Sequence, residues 1–144
     1  MRVKLPGILM AVLFLFGAAV PAFAHHGFGV EFDANNCLDV KGTLTGITWE
    51  NPHAYFDMDA KDASGKMVTW HFEMVTPNAL KRTGTSKQDF VNNFGKPIAA
   101  RVCLAKGGGA EQHRGAASYL ALADGLIRLV GQGVERRADS EKHF

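Results

Sequence analysis

The sequence predicts an all-β domain: a small five-stranded Greek-key barrel of the OB type, with one or two short helices between strands 3 and 4. Three observations lead to this fold class. Apolar and polar residues alternate over several short stretches, turn residues separate these stretches, and a capped helical segment follows the third of them. An antiparallel roll or sandwich would produce the same pattern, and the sequence leaves that alternative open.

The first 24 residues have the features of a cleaved signal peptide. Met1–Lys4 is basic, Leu5–Val20 is apolar, and Pro21–Ala24 ends in a small-x-small cleavage pattern. The apolar stretch is short for a spanning helix. We therefore expect export to the periplasm or beyond the cell, with no transmembrane segment in the mature chain. The mature chain is expected to form a single domain over residues 25–130, followed by a flexible polar tail over residues 131–144.

The charge balance of the mature chain argues against nucleic acid as a partner. The full sequence has 16 basic and 14 acidic residues, and cleavage would remove the basic Arg2 and Lys4. The exported chain then carries 14 charges of each sign. A protein that binds nucleic acid by electrostatic attraction normally shows a clear basic excess, so this class is disfavoured.

The first strand is expected from residue 38 to residue 50, with a bend in its middle. Leu38 and Leu44 share one parity, whereas Trp49 takes the other. The change falls near Gly46, where a bulge would absorb one extra residue and bend the strand.

The next two strands are expected over residues 53–61 and 66–74, joined by the turn at Asp62–Gly65. Each has one apolar face and one polar face, because side chains alternate along a strand. The residues expected to face inward are Ala54, Phe56, Met58 and Ala60 on the second strand and Val68, Trp70, Phe72 and Met74 on the third.

A two-turn helix is predicted after the third strand. Thr76 can cap its N-terminus, Pro77 suits the first helical position, and Gly84 can end it. Ser86–Asp89 can cap a further short turn. The remaining apolar stretches predict a fourth strand and a closing hairpin: Ile98, Ala100, Val102 and Leu104 face inward, Tyr119–Leu122 and Leu126–Val130 form the hairpin, and Asp124–Gly125 is its turn.

The two cysteines, Cys37 and Cys103, are expected to form a disulfide because the exported compartment is oxidising. Each lies next to an inward-facing residue, Leu38 or Val102, so both thiols should point away from the barrel core. The first and fourth strands are neighbours in an OB barrel, which would bring the two side chains together. A blue-copper site is rejected, because its loop places a Met soon after the Cys and no Met follows Cys103.

A histidine pair, His25–His26, would open the mature chain. An N-terminal His can chelate a metal through its α-amine and its own ring nitrogen, and a second imidazole completes a nitrogen-rich planar set that suits Cu(II). This arrangement resembles the histidine brace of certain periplasmic copper proteins and copper mono-oxygenases. The alternative is that the pair is simply a solvated chain end.

His53 and His71 lie on the polar face of the second and third strands, and the hairpin register decides whether they can cooperate. If Tyr55 opposes His71, the two rings are diagonal neighbours that can reach one ion. If Asp57 opposes His71, the rings lie two residue pairs apart and cannot share a metal. Both registers keep the apolar faces matched, so the sequence does not choose between them.

Five motifs make the chain resemble a family of short exported bacterial proteins of unknown function. They are His-His-x-Phe at His25–Phe28, Glu-Phe-Asp at Glu31–Asp33, Trp-x-Asn-Pro-His at Trp49–His53, Trp-x-x-Glu at Trp70–Glu73, and Pro-Asn-x-Leu at Pro77–Leu80. The chain departs from the family's pattern after the fourth strand, and its cysteine pair looks like a local addition. The resemblance implies export, small size and β structure, and it implies no activity.

These patterns lead to a functional hypothesis: a periplasmic metal-binding protein without catalytic activity, with Cu(II) as the expected metal and His25, His26 and His53 as ligands. Asp57, His71 and Glu73 are possible outer-shell groups. The alternative is an accessory module that binds a periplasmic or membrane-protein partner and no metal. No catalytic residue is predicted, because the sequence has no nucleophile elbow, no phosphate-binding glycine loop and no HExxH motif.

Overall fold

The computed structural model describes residues 27–131, which form six strands and three short helices. None of the helices in this part of the chain is long and apolar enough to cross a membrane. The elements are α1 (Phe28–Glu31), β1 (Phe32–Trp49), β2 (Ala54–Lys61), β3 (Met67–Glu73), α2 (Pro77–Arg82), α3 (Lys87–Val91), β4 (Pro97–Ala105), β5 (Arg114–Ala121) and β6 (Ile127–Leu129).

The sheet closes on itself, as expected for the predicted OB-type barrel. The strand order is β3-β2-β1-β4-β5-β6, and an additional pairing joins β3 to β5. That pairing is parallel and places His71 beside Arg114, whereas all the other pairings are antiparallel. Strands β1 to β5 therefore form a ring, and β6 extends the sheet beyond it. The all-β prediction with short helices after the third strand is confirmed.

The predicted bulge lies in β1, between Leu44 and Gly46. Residues 32–43 of β1 pair with β4 and residues 42–49 pair with β2, so the bulge follows directly after the two residues that pair with both strands. A glycine leaves room for the opposite side chain here, because a Cβ on residue 46 would lie 2.5 Å from Oδ2 of Asp57 on β2 and displace that carboxylate. The bend thus brings the backbone of β1 directly under the Asp57 carboxylate.

The barrel core contains the residues that the alternation predicts to face inward. The apolar residues of β2 are at most 1% exposed, and Phe72 on β3 is fully buried. Burying such side chains is the main favourable contribution to the stability of a domain of this size. The largest members of the core are Phe56, Phe72, Phe90, Trp70, Met58, Met74, Leu44, Leu80 and Leu120.

The helix caps are also those the sequence predicts. The Thr76 hydroxyl accepts a hydrogen bond from the Ala79 N–H at 3.1 Å, and Ser86 and Asp89 form a reciprocal capping box. Two strand starts differ from the prediction by more than one residue. β1 begins at Phe32 instead of residue 38, and β5 begins at Arg114 instead of Tyr119, because these additional residues pair with strands that are remote in sequence.

The predicted disulfide between Cys37 and Cys103 is present and joins directly paired residues of β1 and β4. The two thiols point away from the barrel core, but Cys103 is only 5% exposed because a second, smaller apolar cluster covers it. Phe28 of α1 and Phe32 of β1 pack in this cluster with ring centroids 5.3 Å apart. The disulfide therefore lies next to α1, where the described chain begins.

Candidate functional site

Of the three predicted metal ligands, one lies in the described part of the chain. His25 and His26 fall outside residues 27–131. His53 is half-buried just before β2, after the cis peptide bond between Asn51 and Pro52. Its Nδ1 atom lies 3.2 Å from the Met74 carbonyl oxygen. A carbonyl oxygen can only accept a hydrogen bond, so Nδ1 is the protonated nitrogen, and the lone pair of the neutral ring is on Nε2.

The observed hairpin register is the one that separates the two histidines. Asp57 opposes His71 and Tyr55 opposes Glu73. His53 lies beyond Tyr55, so His53 and His71 lie two residue pairs apart along the hairpin. The sequence-based alternative in which both rings reach one metal ion is therefore wrong.

Tyr55 fills the space between the two histidines and connects them. Its hydroxyl donates a hydrogen bond to Oε2 of Glu73 at 3.2 Å, and its ring stacks on that of His71 with centroids 4.9 Å apart and planes 10° apart. The other carboxylate oxygen of Glu73 lies 3.4 Å from Nδ1 of His53. The polar face of the hairpin is thus a continuous row of interacting side chains, here called the hairpin row: His53, Glu73, Tyr55, His71 and Asp57.

At the far end of the hairpin row, Asp57 holds the imidazole of His71. Nδ1 of His71 lies 2.5 Å from Oδ1 of Asp57. A carboxylate on one ring nitrogen fixes the tautomer and orientation of an imidazole, as it does for many metal-binding and catalytic histidines. The His71 side chain is 44% exposed, so this pair faces solvent.

Burial and charge perturb the two central groups of the hairpin row. The pKa of the Glu73 carboxyl is raised, mainly because the group is buried. The charge of the neighbouring His53 acts in the opposite direction and lowers this pKa. Burial, together with the charge of Glu73, raises the pKa of the Tyr55 hydroxyl to about 12. Tyr55 therefore remains a neutral hydrogen-bond donor at physiological pH.

The beginning of the described chain lies beside the hairpin row. The Glu31 charge at the end of α1 contributes to the raised pKa of both Glu73 and Tyr55. Glu31 also lies 3.4 Å from Arg114, which pairs with His71 across the parallel strands. This end of the molecule thus combines α1 with the half-buried His53–Glu73 pair.

Three contacts hold α1 in this position. The Lys106 backbone N–H donates to the Glu31 carbonyl at 2.8 Å, and the Lys106 ammonium donates to the Gly29 carbonyl at 2.6 Å. The Phe28 ring is buried next to the disulfide. The four-residue helix is therefore fixed by tertiary contacts, since so short a helix is not stable alone.

The hairpin row by itself does not form a complete metal site. Within residues 27–131 no group of three or more His, Cys, Asp or Glu side chains is arranged to hold a metal ion. Asp57, His71 and Glu73 of the hairpin row are the predicted outer-shell groups, whereas the sequence predicts no role for Tyr55 or Arg114. Strand alternation places Tyr55 on the polar face, but its contacts with Glu73 and His71 depend on the register of β2 and β3. Arg114 lies beside His71 because β3 pairs with β5, a strand that is distant in sequence.

The comparisons with known proteins give a family and no activity. The model of a family of unknown function (DUF6152) matches residues 12–114, which is most of the chain. No curated protein and no solved structure matches the sequence.

Proposed function

We propose that this chain, which belongs to the family of unknown function DUF6152, is an exported periplasmic protein that binds Cu(II) and carries out no catalytic step. The α-amine and ring of His25 and the imidazole of His26 supply three nitrogen ligands, and His53 supplies the fourth. The observation that carries the proposal is the position of α1, whose Glu31 lies 3.4 Å from Arg114, the residue that pairs with His71 of the hairpin row.

Covalent geometry limits how far the histidine pair can lie from α1. The Val30 N–H donates to the Gly27 carbonyl at 2.8 Å, so Gly27 is about one helical turn, roughly 5–6 Å, from Glu31. Successive Cα atoms are about 3.8 Å apart, so the two residues before Gly27 remain within roughly 8 Å of it. The proposed ligands His25 and His26 are therefore joined to α1 by Gly27 alone.

The orientation of His53 suits it to bind a metal through Nε2. Its Nδ1–H is directed at the Met74 carbonyl, with the Glu73 carboxylate 3.4 Å away. Hydrogen bonding of one ring nitrogen to a carbonyl or carboxylate is the usual outer-shell arrangement around metal-bound histidines, and it raises the basicity of the other nitrogen. Four nitrogen donors in a near-planar set are typical of Cu(II).

The first experiment determines the N-terminus of the exported protein by mass spectrometry, because the proposed site needs a free α-amine on His25. Cu(II) is then titrated by calorimetry into the processed protein and into a form with one additional N-terminal alanine. We expect the extension to weaken binding at least tenfold. Equal affinities of the two forms would exclude the amine as a ligand.

The second experiment tests the fourth ligand. His53→Ala should weaken Cu(II) binding, and the fold should persist because His53 lies on the polar face. The matched control is His71→Ala, which removes a histidine from the same face but at a position two residue pairs away. It should leave the affinity unchanged. An affinity that depends on His71 and not on His53 would overturn the assignment.

A second candidate function is an accessory module that binds a periplasmic or membrane-protein partner. It is favoured by exposed apolar side chains in and next to α3 and β6, two elements that Arg128 links through its ion pair with Asp89 at 3.6 Å. Single exposed apolar residues are common on protein surfaces, whereas neighbouring ones often mark an interaction site. The residues are Val91, Phe94, Leu126 and Ile127. This candidate replaces the first if neither blocking the amine nor removing His53 changes Cu(II) binding.

A further inference from the structure

A cleft with a volume of about 590 Å³ opens in the barrel wall, away from the hairpin row. It runs along β1, where all six consecutive residues from 38 to 43 line it. Successive residues of a strand face opposite sides of a sheet. A cleft that touches all of them must therefore follow the edge of the strand.

The pairing of β1 explains why the edge is open. Pairing of β1 with β2 ends at Gly42 and Ala60, whereas pairing with β4 continues to Cys37 and Cys103. Gly42 permits the close approach of β1 to β2 at their last pair, because a Cβ on residue 42 would overlap the Asp59 carbonyl oxygen. Beyond this point the turn after β2 diverges from β1, and the gap between them is the cleft.

The floor of the cleft is apolar. It is lined by inward-facing side chains of β1, β3 and β4, namely Leu38, Val40, Trp70 and Leu104. Trp70 is 5% exposed, and its indole N–H has no hydrogen-bond partner among the described residues.

The rim of the cleft carries two lysines and three carboxylates. Each of the three carboxylates already has a partner: Asp39 lies 3.3 Å from Arg101, Asp59 accepts from the Thr69 hydroxyl at 2.6 Å, and Asp62 accepts from the Ser64 hydroxyl at 2.6 Å. In contrast, the two exposed rim lysines, Lys41 and Lys61, form no ion pair within residues 27–131.

We propose that this cleft binds a small amphipathic carboxylic acid, with its apolar body against Trp70 and Leu38 and its carboxylate between Lys41 and Lys61. The volume lies within the range of small-molecule sites, and such sites commonly occupy the mouths of β-barrels and combine apolar walls with a few polar groups. Exposed lysines can pair with a carboxylate at the rim while the apolar body is removed from water. The site is independent of the proposed copper site.

Trp70 provides a built-in reporter for this site. The only other tryptophan is Trp49, which packs against Phe90 with ring centroids 5.9 Å apart and does not line the cleft. In a Trp49→Phe protein, all tryptophan fluorescence therefore comes from the cleft. Decanoate, titrated below its micelle concentration, should change this fluorescence saturably, and calorimetry should give the same affinity.

Two comparisons test the charge and the location. Decanol, which has the same chain without the carboxylate, should bind at least fivefold more weakly. The double variant Lys41→Glu/Lys61→Glu should weaken decanoate binding at least tenfold, whereas the control Lys66→Glu/Lys96→Glu, with the same change of charge outside the cleft, should not. Circular dichroism confirms that each variant is folded. The proposal is overturned if decanoate gives no saturable change, or if both double variants bind it as the parent does.

Discussion

The substitution Phe72→Ala tests the placement of β3 on which both the barrel core and the hairpin row depend. Phe72 is fully buried, and because alternate residues face opposite sides of the strand, its inward position requires His71 and Glu73 to face outward. If this face were reversed, the hairpin row would not exist. A stability measurement therefore tests the geometry of the proposed site without any metal.

The expected magnitude follows from the contacts of the ring. Truncation of a buried Phe to Ala costs roughly 3–5 kcal/mol, which combines lost transfer free energy with the cavity that remains. Phe72 also contacts Phe56 and Trp70, with ring centroids 5.5 and 5.6 Å apart. Aromatic pairs contribute about 0.5–1.5 kcal/mol beyond their buried area. We therefore expect a loss in the upper part of that range, about 4–5 kcal/mol.

The assay is equilibrium unfolding in urea, followed by circular dichroism on the disulfide-bonded protein. At about 4–8 °C per kcal/mol for a domain of this size, the same loss would lower Tm by roughly 16–40 °C. The matched control is Met67→Ala on the same strand, whose side chain is 56% exposed and should change stability by less than about 0.5 kcal/mol. A loss below about 1 kcal/mol for Phe72→Ala, with an unchanged urea dependence, would refute the assignment of the two faces.

Three further predictions follow from the same structure. The mature protein should contain no free thiol, and two titratable thiols in the native protein would contradict the pairing of Cys37 with Cys103. Replacing both cysteines by serine should lower the free energy of unfolding in urea by about 4 kcal/mol, because the disulfide closes a loop with a sequence separation of 66 residues. Because burial raises the pKa of the Glu73 carboxyl, the folded state binds the carboxyl proton more tightly than the unfolded chain does. The ionised carboxylate therefore lowers the free energy of unfolding at neutral pH. This loss disappears as the pH falls to the ordinary pKa range of Glu. Glu73→Gln should therefore melt at the same or a higher temperature than the parent at pH 7, with any gain shrinking towards pH 4, and a lower Tm at pH 7 would show that the carboxylate is net stabilising. Cu(II) affinity should fall as the pH decreases below about 8, where free α-amines become protonated, and calorimetry that finds the same affinity at pH 8 and pH 6 would argue against the amine of His25.

Much of the fold is determined by interactions that are local in sequence. Alternation with period two identifies the buried face of each strand, because alternate side chains point to the same face of the sheet and the apolar face is the one removed from water. The change of parity near Gly46 locates the bulge, and the hydroxyls of Thr76 and Ser86 locate the helix starts. The parity of Cys37 relative to its neighbours also predicts correctly that its thiol points away from the barrel core.

Only the tertiary structure decided how these elements are aligned. Two hairpin registers bury the same faces equally well, so the alternation could not determine that Asp57, and not Tyr55, opposes His71. The early start of β5 and the presence of Arg114 beside His71 depend on a parallel pairing of strands more than 40 residues apart in sequence. Such contacts are selected by the packing of the whole barrel and by the closing of long loops, and no pattern within a single strand reports them.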